Sequence, residues 1–109
     1  MNAPAVPTVA PGDIPASATL LDVREIDEWV AGHAPEAVHL PMSEIQRRVA
    51  EVPEGPLAVV CRVGGRSAQV TAFLRQRGHE AVNVSGGMLT WEAEGRPMTT
   101  DGPGPARVV

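Results

Sequence analysis

The apolar positions fall into short runs separated by polar or glycine-bearing breaks, and the runs alternate between two periods. Thr19-Leu20-Leu21-Asp22-Val23, Ala37-Val38-His39-Leu40, Leu57-Ala58-Val59-Val60 and Glu80-Ala81-Val82-Asn83-Val84 are brief, partly β-branched stretches of strand character. After the first of them, Ile26, Trp29 and Val30 stand at i, i+3, i+4, which predicts a short amphipathic helix over Arg24 to Ala31, closed by Gly32. Pro41 stops the second strand, and the capping-box spacing of Ser43 and Gln46 predicts a helix from there to Glu51. A third helix is predicted over Ala68 to Leu74, with Val70, Phe73 and Leu74 on one face and a stop at Gly78. Ser85-Gly86-Gly87 then turns the chain into a last short helix, Met88 to Glu94. Such alternation specifies an α/β fold with parallel strands and helices on both faces. In open sheets of that kind a ligand crevice lies beyond the carboxyl ends of the strands, where both Asp22 and Cys61 fall.

Cys61 is the only cysteine, and it follows the most apolar strand directly. The loop Cys61-Arg62-Val63-Gly64-Gly65-Arg66-Ser67 joins that strand to the third helix. A thiol at the start of a helix, among two glycines and two arginines, is placed to ionise. The helix dipole, the unpaired N–H groups of the first turn and the guanidinium charges all favour the anion. Gly64 and Gly65 make a tight turn and also allow successive N–H groups to converge in an anion-binding nest. A lone cysteine is otherwise most simply a small buried hydrophobe, and the surrounding loop is what argues against that. Arg62 is expected to face solvent and attract an anionic substrate. Arg66 can do the same, or it can pair with a carboxylate such as Asp22 and brace the loop. Asp22 and Arg24 either support the site or merely cap the first strand–helix junction.

The remaining chemistry is sparse. His33, His39 and His79 lack metal-ligand spacing, Trp29 and Trp91 are expected in the core, and Glu92 and Glu94 on a solvated helix face. With 109 residues the chain makes one domain, expected over 8–98 between a loose N-terminal segment, 1–7, and a flexible C-terminal tail, 99–109. The net charge of −4 argues against a nucleic-acid or anionic-membrane surface. A single cysteine excludes an internal disulfide, and a free thiol suits a reducing compartment, so the cytoplasm is the expected location. No signal-peptide pattern opens the chain, and no apolar run approaches the roughly 20 residues of a membrane helix.

Four ordered motifs together resemble the single-domain rhodaneses, a family of sulfurtransferases that form a cysteine persulfide. They are Leu21-Asp22-Val23-Arg24-Glu25; Gly32-His33 with Ala37-Val38-His39-Leu40-Pro41; the loop from Cys61 to Ser67; and Gly86-Gly87-Met88 with Trp91, Gly95 and Pro97. Ala34 and Glu36 depart from the second motif, where the family usually has a larger apolar residue and a glycine. The resemblance implies a small rhodanese-like fold with a five-stranded, mainly parallel sheet. It also implies that the Cys61 thiolate takes a sulfane sulfur from a donor such as thiosulfate and passes it to an acceptor: cyanide, a thiol or a protein. Residues 62–67 would form the anion-binding loop, and no metal or organic cofactor would be required. The chain is expected to act as a monomer.

Two other functions use a similar loop. One is a persulfide carrier or binding module serving a dedicated partner, which needs the same thiolate. The other is a phosphatase or arsenate reductase, whose Cys…Arg loops hold a tetrahedral oxyanion. Those loops place one residue more between cysteine and arginine than the four here, Arg62 to Gly65. The shorter ring suits a single added sulfur better than a phosphate.

Overall fold

A computed structural model describes residues 5–109. Five parallel strands form one sheet in the order β1-β5-β4-β2-β3. They are β1 (Thr8–Val9), β2 (Thr19–Asp22), β3 (Val38–His39), β4 (Leu57–Val60) and β5 (Ala81–Val84). The α-helices are α1 (Ile26–Ala31), α2 (Gly65–Gln76) and α3 (Gly87–Ala93). β4 lies at the centre, and all four of its residues are buried. That accounts for its uninterrupted apolar run, since a strand covered on both faces has no polar alternation.

The period of two along β4 separates two cores. Leu57, Val59 and Cys61 point to one face, where they meet Val70 and Leu74 of α2 together with Leu40, Ile45 and Val52. Ala58 and Val60 point to the other face and meet Met88 and Trp91 of α3 with Ile14, Met98 and Val108. Helices therefore cover both faces, as the alternation requires.

Several elements differ from the sequence reading. β1, two residues long, is absent from the sequence reading; it pairs with Asn83 and Val84 of β5, and its Val9 carbonyl accepts the Ser85 N–H. The helix expected from Ser43 to Glu51 is replaced by two 3-10 turns, Met42–Glu44 and Val49–Glu51. Ser43 does not cap a helix there, because its hydroxyl donates to Glu25 Oε1 at 2.7 Å. The capping box lies instead at Glu25 and Glu28, which open α1. Glutamate is not among the usual N-cap residues, so the pattern escapes a search for them. Ile26 is 59% exposed, and α1 buries no residue fully; its Trp29 ring stacks with both His33 and His39, at centroid distances of 3.6 and 4.7 Å. The departures at Ala34 and Glu36 do not prevent a turn, for Ala37 N–H donates to the Ala34 carbonyl at 3.1 Å.

The ends of the chain also differ from expectation. Of the N-terminal segment 1–7, residues 1–4 lie outside the described residues, while the Pro7 carbonyl accepts the Asn83 N–H at the sheet edge. The segment 99–109 is laid against the domain, not free of it. Thr99 bridges to His33, Arg107 N–H donates to the Ala31 carbonyl, and Val108 N–H donates to Glu92. A side chain at Gly32 would strike the Arg107 backbone, so the close approach of the two segments depends on glycine. Among the described residues, no helix is long and apolar enough to cross a membrane.

Candidate active site

Cys61 leaves β4 at the carboxyl edge of the sheet, one residue beyond the pairing of Val60 with Asp22. Its Sγ accepts the Gly64 N–H at 3.1 Å and lies 3.2 Å from Ser67 Oγ. Gly64 has φ 117°, a left-handed conformation that suits glycine, and it turns the chain directly into α2. Gly65, Arg66 and Ser67 consequently form the first turn of α2, with the sulfur beside that turn. Twelve residues of aligned peptide dipoles bring a positive partial charge to this end of the helix.

The other side of the loop is fixed by α3. Met88 and Leu89 donate their N–H groups to the carbonyls of Cys61 and Arg62 at 2.8 and 3.1 Å. Gly87 makes this possible: at φ 58°, an added Cβ would stand 2.5 Å from the carbonyl oxygens of both residues. With those carbonyls engaged by α3, the loop turns an N–H group, that of Gly64, toward the sulfur.

The arginines separate into three environments. Arg62 is exposed, and its Nε donates to the Val109 carbonyl at 3.1 Å. Arg66 forms a two-pronged pair with Glu28 of α1, both contacts at 2.8 Å, so it braces the loop through Glu28. Asp22, the carboxylate suggested for that role, is taken by Arg24 in a fully buried pair at 2.7 Å. Arg24 also donates to the carbonyls of Gly32 and Glu28, and its own N–H donates to Asp22. The pair thus fastens the end of β2 to the first turn of α1 and to its C-cap, Gly32, and its polar groups are taken up there. Hydrogen bonding to Arg66 holds the Glu28 carboxyl below the usual carboxylate range, and the same bonds hold the Arg66 guanidinium above its ordinary value.

The structure brings together all the loop residues named from sequence and adds others that sequence reasoning passed over. Glu28 is one, visible only as half of an atypical capping box. Asn83 of β5 is another: buried beneath the loop, its Oδ1 lies 2.6 Å from Ser67 Oγ. Val63 stands 55% exposed at the tip of the loop. Two of the three histidines are held by backbone, His33 against the Trp29 carbonyl and His39 against that of Arg24. A cavity of about 590 Å³, lined by Pro15, Ala18, Thr19, Pro35, Trp91 and Pro97 among others, contains none of the loop residues.

A parallel α/β sheet that presents a cysteine in a glycine-rich turn at a helix N-terminus defines a class of thiol-bearing domains. Within that class, the rhodanese-like domain model matches residues 11–94, and the chain belongs to this family. It is 40% identical over 79 residues to YtwF of Bacillus subtilis, a candidate sulfurtransferase, covering 72% of this chain and 77% of that protein. It is 35% identical over 85 residues to the thiosulfate sulfurtransferase GlpE of Actinobacillus pleuropneumoniae, covering 76% of this chain and 79% of GlpE. Among solved structures, a rhodanese-related protein from Thermoplasma volcanium superposes with a TM-score of 0.73 at 36% identity, covering 76% of this chain and 84% of the other.

Proposed function

We propose that this protein transfers a sulfane sulfur through a persulfide on Cys61, with thiosulfate as a competent donor. The observation that carries the reading is the placement of Cys61 Sγ beside the Gly64 N–H and the first turn of α2, in a loop with four residues between Cys61 and Arg66. The Cys61 thiolate attacks the outer sulfur of thiosulfate. The sulfur–sulfur bond of the donor breaks, sulfite leaves with the electron pair, and Cys61 holds an anionic terminal sulfur. An acceptor nucleophile, whether cyanide, a thiol or a protein, then attacks that sulfur and returns the thiolate.

In this reading the loop N–H groups act on anionic sulfur as an oxyanion hole acts on oxygen. Arg62, at the exposed rim, attracts the anionic donor. Arg66 acts through structure, tying the start of α2 to α1 by way of Glu28. A reducing compartment such as the cytoplasm suits the free thiol. The short Cys…Arg spacing and family membership both favour sulfur over phosphate or arsenate as the group handled.

The test is a side-by-side assay of the wild type with thiosulfate plus cyanide and with an aryl phosphate. Sulfurtransfer is expected, with no meaningful phosphate hydrolysis. Cys61→Ser should abolish sulfurtransfer in a folded protein, because no second thiol exists and a hydroxyl is a far poorer nucleophile near neutral pH. Retained activity in that variant, or faster turnover of the phosphate, would overturn the reading.

A further inference from the structure

We propose that Asn83 is a positioning residue that acts on Cys61 through Ser67, by taking the hydroxyl hydrogen that Ser67 would otherwise give to the sulfur. The inference rests on Cys61 being the reactive thiol, as proposed above. Ser67 is fully buried, and its Oγ has three close polar neighbours: Asn83 Oδ1 at 2.6 Å, Cys61 Sγ at 3.2 Å and the Gly64 carbonyl at 3.2 Å. A hydroxyl carries one hydrogen, so the three compete for it. The contact with Asn83 is the shortest and lies at the strong end of the O–H···O range. The amide orientation agrees, since Nδ2 faces the Gly64 carbonyl at 3.4 Å and turning the amide over would set two oxygens against each other.

With its hydrogen given to Asn83, Ser67 offers the sulfur a lone pair. That arrangement accepts an S–H and opposes a thiolate. Ionising Cys61 must either leave the anion facing that lone pair or rotate the hydroxyl toward it. Rotation leaves Asn83 Oδ1 buried without its donor, which is itself unfavourable. Both routes weigh on the thiolate form alone. Asn83 cannot withdraw, because its N–H is bound to the Pro7 carbonyl and its Cα is in register with Thr8 and Val59. It shares the α2-facing side of β5 with Ala81, whereas Val82 and Val84 face the other core.

The charged groups around Cys61 come from four places: Arg62 in the loop, Arg66 of α2, Glu28 of α1 with the preceding Glu25, and the Asp22–Arg24 pair at the end of β2. None of them hydrogen-bonds to Ser67 or Asn83, so replacing Asn83 with a neutral residue alters no charge pairing. The consequence is a division of labour. The helix and the loop N–H favour the anion, and Asn83 restrains it, keeping the sulfur a better nucleophile per ionised molecule. Thiolate reactivity falls as a thiol is made more acidic, and the fastest attacking thiol ionises near the ambient pH.

The experiment measures the pH dependence of Cys61 alkylation by iodoacetamide in the reduced protein, for wild type, Asn83→Leu, Ser67→Ala and the double variant. Leucine keeps the size of asparagine without its hydrogen bonds. Asn83→Leu should move the midpoint to lower pH by on the order of 0.5–1 unit, the worth of about one hydrogen bond. The same substitution made on Ser67→Ala should produce no shift. An unmoved or raised midpoint in Asn83→Leu, or an equal shift without the Ser67 hydroxyl, would overturn the proposal. Should Asn83→Leu fail to fold, Asn83→Val, which suits a strand, makes the same comparison. Because alkylation is read without any sulfur donor, this outcome is separate from success or failure of the sulfurtransfer assay.

Discussion

β2 and β4 are parallel neighbours that end at the same level of the sheet, with Asp22 opposite Val60, yet their polar ends are resolved in opposite ways. At the end of β2, Asp22 and Arg24 are both 0% exposed and satisfy each other. At the end of β4, Cys61 Sγ meets the Gly64 N–H and the Ser67 hydroxyl, whose hydrogen, on the proposal above, goes to Asn83. The first end is closed by a satisfied ion pair, and the second holds a thiol with no charged partner in hydrogen-bonding contact among the described residues. On the function proposed above, the difference between the two ends is that the polar groups of β2 are already paired and the thiol at the end of β4 is not.

The largest effect expected from this contrast is at the closed end. Asp22→Ala should lower stability by about 3–5 kcal/mol, because it leaves the Arg24 guanidinium buried without its counter-charge. In a domain of this size that corresponds to a fall in melting temperature of more than about 10 °C, measurable by circular dichroism. Little change on melting would mean that the pair does not hold the β2–α1 junction.

A smaller effect is expected at the brace between the two ends. The Arg66–Glu28 pair is part-exposed, with Arg66 at 35% and Glu28 at 14%, so solvent screening limits it to about 1 kcal/mol. Arg66→Ala should lower both melting temperature and turnover. Because the Glu28 carboxyl is held below its ordinary value by Arg66, its contribution is present above that ordinary value, near pH 4.5, and is lost as pH falls through the lower folded value. Glu28→Gln should flatten this part of the stability profile below about pH 4.5. An unchanged acid limb in Glu28→Gln would show that the pair does not couple α1 to the loop.

The smallest structural effect is expected at Arg62, where exposure should keep the change in stability within about 0.5 kcal/mol. Its effect should appear in kinetics: Arg62→Ala should raise the KM for thiosulfate, and the difference should shrink with added salt. A loss of stability with no change in KM would exchange the roles given to Arg62 and Arg66.

What could be read in the sequence follows the same division between local and distant causes. The β4–loop–α2 segment was legible because its signals are contiguous: an apolar run, one cysteine, two glycines and an amphipathic helix. β1 was not, since two residues held by one partner strand leave no periodic trace. The misread helix at Ser43 shows a local capping pattern overruled by a distant acceptor, Glu25. Glu28 and Asn83 reach the site from other elements; Glu28 shows locally only as half of an atypical capping box, and nothing in its own neighbourhood of sequence marks Asn83. The tail from Thr99 onward looked loose by composition, yet its backbone is held by α1 and by Glu92.

The central claim is that Cys61 carries the sulfur, and mass spectrometry of the intact protein tests it most directly. Reduced protein would be incubated with thiosulfate, freed of small molecules without reductant, and weighed before and after cyanide. The account predicts a gain of one sulfur atom, located on the peptide containing Cys61, lost on cyanide treatment with formation of thiocyanate and never acquired by Cys61→Ser. A protein that turns over thiosulfate and cyanide but acquires no sulfur at Cys61, or acquires it equally in Cys61→Ser, would contradict the account.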